Sequence, residues 1–245
     1  MKSERSGNLL LDRLPKEEYH RLLRLGETVS LARGHEICRQ GGPLSHIYFP
    51  TSAAFCIQVL MEDGKAVDAA CVGSEGMIGI APTLGVDFST VTAVAQVSGE
   101  SLRIPTAGFL SALKSGSLLE KVIRRYVDYS LRFANQSVAC NLLHSVQQRM
   151  CRWLLMSQDQ AGSHEALMFT QEFLAGLLGV RRQTISVVAG ALRSAGFISY
   201  RRGVLRILNR QGLANASCEC YQVTKTLYNR LIAQTEQLKL SRNGQ

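Results

Sequence analysis

Thr170-Gln-Glu-Phe-Leu-Ala-Gly-Leu-Leu-Gly-Val-Arg-Arg-Gln-Thr-Ile-Ser-Val-Val-Ala-Gly-Ala-Leu-Arg193 decides the reading of this chain. The Thr170 hydroxyl suits the start of a helix, where it accepts a hydrogen bond from a first-turn N–H. Glu172 then sits at the positive end of the helix dipole. Leu174, Leu177 and Leu178 form the buried face, Ala175 is small enough for a second helix to cross closely, and Gly179 supplies the left-handed residue that ends the helix. After a turn, Ile185, Val188, Ala189 and Leu192 recur at i, i+3, i+4 and i+7, the burial pattern of a second helix. That pattern leaves Arg181, Arg182, Gln183, Thr184, Ser186 and Val187 on or near its exposed N-terminal part. Two short helices so spaced predict a helix-turn-helix near residues 170–195. Guanidinium, amide and hydroxyl groups at the second helix tip are the donors that major-groove reading requires.

C-terminal to this segment, Phe197-Ile-Ser-Tyr-Arg-Arg-Gly-Val-Leu-Arg-Ile-Leu208 reads as two strands around Arg201-Arg202-Gly203. This is a β-wing whose basic tip, Arg201 and Arg202, would lie along a sugar-phosphate backbone, with Arg206 as a further candidate. Charge supports that reading. The 245 residues carry 28 Lys+Arg against 19 Asp+Glu, a net +9. Residues 1–144 hold 15 basic and 14 acidic residues and residues 145–245 hold 13 and 5, so the excess divides as +1 and +8. A basic half joined to a neutral half points to a polyanion as partner of the second, and double-stranded DNA fits the helix-turn-helix. The alternative is a ligand-sensing module whose helix-turn-helix contacts a protein.

On the N-terminal side, a helix is expected from Ser145 to Met156, with Val146, Met150, Trp153 and Leu154 on one side. Before it, Leu119, Val122, Tyr126, Tyr129, Phe133, Gln136, Cys140 and Leu143 are spaced alternately three and four apart, with no Pro or Gly from Ser117 through Ala161. This spacing predicts a helix of about 25 residues, roughly 37 Å long, with a heptad seam. Such a seam needs a partner, either the β-domain of its own chain or, as its length favours, the same helix of a second subunit; a homodimer is expected, with Gln136 as the polar member that sets register.

From Glu27 to about Pro105, glycines punctuate short runs such as Thr28-Val-Ser-Leu31, His46-Ile-Tyr-Phe49, Ala54-Phe-Cys-Ile-Gln-Val-Leu-Met61 and Val91-Thr-Ala-Val-Ala-Gln-Val97. These read as strands of an antiparallel β-roll or barrel. Asp63-Gly64 marks a hairpin between two of them, and a short helix is expected around Lys16–Leu25. The fold class is therefore α+β. A β-roll sensor domain occupies 1–115, a long dimerisation helix 116–144 and a winged-helix DNA-binding domain 145–245. Residues 159–165 read as a polar loop.

Other classes find little support. The first residues show no apolar stretch behind a basic tip, and no run of about 18 apolar residues occurs, so a cytoplasmic location without membrane contact is expected. Seven cysteines, at 38, 56, 71, 140, 151, 218 and 220, fit a reducing compartment rather than a disulfide framework. Cys140/His144 and Cys218-x-Cys220 are ligand pairs by spacing. A structural zinc site needs four converging ligands, however, so no metal is expected. No nucleophile elbow, phosphate loop or zinc-protease motif is present, and His20, His35, His46, His144 and His164 are scattered; the chain does not read as an enzyme.

The sequence resembles the Crp/Fnr family of bacterial transcription factors over nearly its whole length. Gly34-x-x-Ile37, Ile47-Tyr-Phe-Pro50 and Gly73-x-Glu75-Gly76-x-x-Gly79 are similar to the cyclic-nucleotide-binding type of β-roll. Arg149-x-x-Arg152-Trp-Leu-Leu, the helix-turn-helix and the wing resemble the family's DNA-binding domain. The resemblance implies a sensor domain, a dimerisation helix, a winged helix, control by an effector, and RNA polymerase as a further partner. Two departures matter. Where the family's recognition helix commonly reads Arg-Glu-Thr-x-x-Arg, this chain has Arg182-Gln183-Thr184-Ile185-Ser186-Val187. Gln183 can pair with adenine and Val187 can touch a thymine methyl, so a different half-site is expected. Cyclic-nucleotide binders place an arginine after the Gly-Glu segment, but Ser89, followed by Thr90, stands where it belongs. Cyclic AMP or GMP is disfavoured as effector, while Glu75, Gly76, Ser89 and Thr90 remain candidate pocket residues.

Overall fold

A computed structural model of the chain describes residues 6–161 and 166–240. These pack as two compact units, residues 6–130 with 229–240 and residues 131–161 with 166–228. The expected boundaries at 115/116 and 144/145 follow secondary structure, whereas packing divides the long helix itself.

The first unit opens with helix α1 (Lys16–Leu25), the span its sequence predicts. Seven strands follow: β1 (Glu27–Leu31), β2 (Glu36–Cys38), β3 (His46–Pro50), β4 (Ala54–Leu60), β5 (Ala66–Val72), β6 (Thr92–Val97) and β7 (Gly99–Pro105). They form two antiparallel sheets, ordered β1-β7-β3 and β2-β6-β4-β5. The β4–β5 hairpin closes where Asp63-Gly64 predicts, with Leu60 opposite Ala66 and Gly64 at φ +79°. Strand β3 shows why its sequence is continuously apolar rather than alternating. Ile47 and Phe49 face one core, with Leu22, Leu102, Ile104 and Phe109, while Tyr48 faces a second core with Leu31, Phe55, Val72, Ala93 and Ala95. A strand covered on both sides has no polar face to present.

After the short helix α2 (Thr106–Ala112), helix α3 runs from Leu118 to Leu143, 26 residues without interruption. The expected dimer seam on it is corrected by the packing. Leu119, Val122 and Tyr126 belong to the first unit's own core, and Tyr129 packs against that core. In the second unit, the Phe133 ring lies edge-on to Trp153 at 6.0 Å, the Gln136 amide donates to Cys220 Sγ, and Cys140 is fully buried. Of the eight seam residues only Leu143 is exposed. The heptad spacing is real, but it records burial within this chain, because periodicity shows which face is covered and not what covers it. A different apolar stripe faces solvent: Leu131, Val138 and Leu142, at i, i+7 and i+11, are 62%, 61% and 79% exposed.

The second unit continues with α4 (Val146–Ala161), β8 (Leu167–Met168), α5 (Gln171–Leu178), α6 (Arg182–Ser194), β9 (Ile198–Arg201), β10 (Val204–Ile207), α7 (Arg210–Asn215) and α8 (Cys220–Leu240). Ser145 and Gln148 cap α4 reciprocally: Gln148 N donates to Ser145 Oγ, and Ser145 N donates to Gln148 Oε1. Asp159, expected in a loop, lies in α4 and accepts from Arg210 Nη2 at 2.6 Å and Tyr221 Oη at 2.9 Å. Positions 162–165 of that expected loop, including His164, lie outside the described residues. Helix α8 is the element the sequence reading did not resolve. Its later part returns to the first unit, where Leu231 enters the core and Glu236 pairs with Arg13 at 3.1 Å. Among the described residues, no helix is long and apolar enough to cross a membrane.

Candidate nucleic-acid interface

Helix α5 begins as its sequence dictates: Thr170 is the extended N-cap, and its Oγ1 accepts from Phe173 N at 3.1 Å. It ends at Gly179, φ +62°, whose N–H closes onto Gly176 O, while Val180 N bonds Ala175 O. Phe173, Leu174, Ala175, Leu177 and Leu178 are buried. Arg149 of α4 supplies a contact that the apolar pattern does not reveal. Its Nη1 donates to Leu178 O at 3.0 Å and to Asn141 Oδ1 at 3.2 Å, so a guanidinium satisfies a carbonyl the helix end leaves open.

Helix α6 buries Ile185, Ala189 and Leu192 and half-buries Val188, the predicted face. Arg181, Arg182, Gln183, Ser186 and Val187 are exposed and Thr184 is half-buried. Val187 is 72% exposed, and a large aliphatic side chain so bare on a helix flanked by arginines is a candidate contact. Gln171, not singled out from sequence, braces this tip: its Oε1 accepts from Ser186 Oγ at 2.9 Å and lies 3.5 Å from Arg182 Nε. A search for apolar periodicity passes over such a residue.

The wing is a three-stranded sheet ordered β8-β10-β9. Arg201 pairs with Val204, leaving Arg202 and Gly203 as a two-residue turn with φ +51° and +79°. Positive φ at both positions is what a tight hairpin between twisted strands requires, yet the first is filled by an arginine rather than Asn, Asp or Gly. Tyr200 Oη donates to Phe169 O at 2.7 Å and fixes the base of the wing. A Cβ on Gly203 would lie 3.6 Å from Thr170 Cγ2, so the wing tip backs onto the start of α5. Thr170, Gln171, Glu172, Arg182, Tyr200, Arg202 and Gly203 line one concavity of about 510 Å³. The structure thus brings Thr170, Arg182 and Arg202 together, while Arg201 and Arg206 are exposed on the wing strands.

Residues 148–216 match the model of the Crp-like helix-turn-helix domain and residues 28–115 that of the cyclic nucleotide-binding domain. The chain belongs to the Crp/Fnr family. Solved structures of similar fold include FixK2 from Bradyrhizobium japonicum, with TM-score 0.71 and 16% identity over 79% of this chain and 98% of that one. A CRP-family transcriptional regulator from Thermus thermophilus aligns with TM-score 0.66 and 18% identity, over 77% and 96% of the two chains. The c-di-GMP-responsive global regulator CLP of Xanthomonas campestris aligns with TM-score 0.63 and 17% identity, over 79% and 99%. At such identities the likeness is one of fold. No curated protein sequence matches the chain.

Within this Crp/Fnr chain, three of the four candidate effector residues, Glu75, Gly76 and Ser89, are engaged in the β-roll itself. A Cβ on Gly76 would clash with Tyr126 Oη, and Gly76 O accepts from Asn8 Nδ2 at 2.9 Å. Gly76 is a close-packing point for Tyr126, whose hydroxyl donates to Met77 O. Glu75 is buried; one carboxylate oxygen accepts from Gly73 N at 3.0 Å, the other has no partner among the described residues, and burial pushes its pKa up. Ser89 is also buried, its hydroxyl donating to Val91 O at 2.6 Å while its backbone bonds Gly41 and Gly42. Thr90 is exposed. Of the four, Gly76 and Ser89 do structural work in the roll.

Proposed function

We propose that this protein is a homodimeric, sequence-specific DNA-binding transcriptional regulator whose β-roll receives the controlling signal. The observation that carries the reading is the convergence of the α6 tip and the wing tip, with Arg182 and Arg202 on one concavity and Gln183, Ser186 and Val187 exposed beside them. Donors on a helix tip suit base edges, and a cation on a hairpin tip suits the sugar-phosphate backbone. Arg182 is assigned to a base edge, with Gln183 toward adenine and Val187 toward a thymine methyl. Arg181, Arg201, Arg202 and the hydroxyls of Thr184 and Ser186 are assigned to phosphates or flanking bases. Thr170 acts through its cap.

The partner of the outer face of α3 is proposed to be the same face of a second copy. Leu131, Val138 and Leu142 form an exposed aliphatic stripe on a long helix, the geometry that helix-to-helix pairing needs. The signal is proposed to be something other than a cyclic nucleotide held through an arginine, since Ser89 fills that place and spends its hydroxyl within its own loop. Anisotropy titrations of one selected duplex and one random duplex, at several salt concentrations, test the reading. A preference for the selected duplex that Arg182→Ala abolishes supports it. Equal loss on both duplexes removes Arg182 as a base reader, and absence of salt-dependent binding favours a protein partner.

A further inference from the structure

Two sequence pairs separated by more than seventy residues meet in the second unit. Cys140 lies in the last turn of α3, and His144 follows directly, its N–H still bonded to Cys140 O. Cys218 and Cys220 sit in the turn before α8 and at its first residue. One donor atom from each of the four lies within 4.8 Å of the others, and all four residues are buried or half-buried. Cys140 Sγ and Cys218 Sγ are 3.6 Å apart, as are Cys220 Sγ and His144 Nδ1. A tetrahedral zinc ion with Zn–S of about 2.3 Å and Zn–N of about 2.0 Å sets ligand–ligand edges of roughly 3.5–3.8 Å, the spacing of these two pairs.

The surroundings suit such an ion. His144 turns Nε2 away from the sulfurs toward Glu219, 3.2 Å from its carboxylate, the outer partner that fixes a metal-bound imidazole. Gln136 Nε2 donates to Cys220 Sγ at 3.0 Å, which favours a thiolate acceptor. Charge gives an independent reason. Arg152 is 1% exposed and, among the described residues, has no carboxylate partner. Its guanidinium bonds Ser137 Oγ at 3.0 Å and lies over the Phe133 and Trp153 rings at 5.4 and 5.7 Å. It also lies beside the Cys140 sulfur. Three thiolates, one neutral imidazole and a divalent ion leave one negative charge, which Arg152 balances.

We infer that Cys140, His144, Cys218 and Cys220 form a structural zinc site joining the end of α3 to the start of α8 within the DNA-reading unit. Four protein ligands close the coordination sphere, so the ion holds structure and leaves no position for substrate.

The test is metal analysis of the full-length protein purified without chelators, paired with cobalt(II) substitution. About one zinc per chain is expected, falling at least tenfold in Cys218→Ser and His144→Ala and remaining in Cys151→Ser, whose buried thiol lies outside the cluster. Wild-type protein stripped of metal and refilled with cobalt(II) should show thiolate-to-cobalt charge-transfer bands with tetrahedral visible bands, a readout independent of how well the variants fold. Wild-type protein that carries no zinc and gives no such bands would overturn the site. So would an intact mass two hydrogens lower in fresh preparations, with a Cys140–Cys218 cross-link on peptide mapping.

Discussion

Arg202 occupies a left-handed backbone position that costs a non-glycine residue roughly 1–2 kcal/mol, at the tip of a turn where glycine would be free of strain. Retaining an arginine there fits a tip whose charge is used. Arg202→Gly is therefore expected to leave thermal stability unchanged or raised while weakening binding to selected and random duplexes alike, as parallel melting and anisotropy measurements would show. Arg182→Ala should instead cost about 1–3 kcal/mol, roughly a five- to 150-fold loss, on the selected sequence alone. Glu75 yields a pH prediction. A carboxyl whose folded pKa is raised keeps its proton in the folded state while the unfolded chain releases it, so stability is lost as pH rises above the unfolded value. Glu75→Gln should thus melt higher than wild type at neutral pH, and the difference should vanish in acid; a variant less stable at every pH would contradict this. The sequence marked Glu75 as notable but could not show its lack of a second partner, which depends on distant chain segments.

Helix α3 shows what periodicity does and does not reveal. Its length and covered face were legible from residues 119–143, but the covering came from the chain itself, so the stripe proposed to meet a second copy is the exposed one, Leu131, Val138 and Leu142. Leu142→Asp is expected to shift the protein from dimer to monomer in light scattering with little change in unfolding free energy. Phe133→Ala, by contrast, should cost about 3–5 kcal/mol of stability because it empties the space against Trp153 and Arg152. The helix-turn-helix was legible almost residue by residue because its signals are local: a cap, a left-handed glycine, an apolar stripe. The braces Arg149 and Gln171 were not, since each acts on a neighbouring element through a polar atom. The four-ligand cluster was equally hidden, as spacing gave two pairs and only the fold joined them.

For the molecule as a whole, the charge division of the sequence matches the division of labour proposed. The net excess of +8 lies from residue 145 onward, where α6 and the wing are found, and the near-neutral half holds the β-roll. Such a chain should bind DNA with an affinity that falls steeply as salt rises, through release of counterions from the phosphates it neutralises. A dimer built on α3 carries two recognition helices, so its operator should contain two half-sites in inverted orientation, centred about one helical turn, ~34 Å, apart. Selection of the purified full-length protein against a random duplex library reads both properties at once. The account predicts an enriched inverted repeat with that spacing, lost in Arg182→Ala and altered in Gln183→Glu. Enrichment of no sequence by a protein shown to be folded and dimeric, alone and in the presence of cell extract, would contradict it.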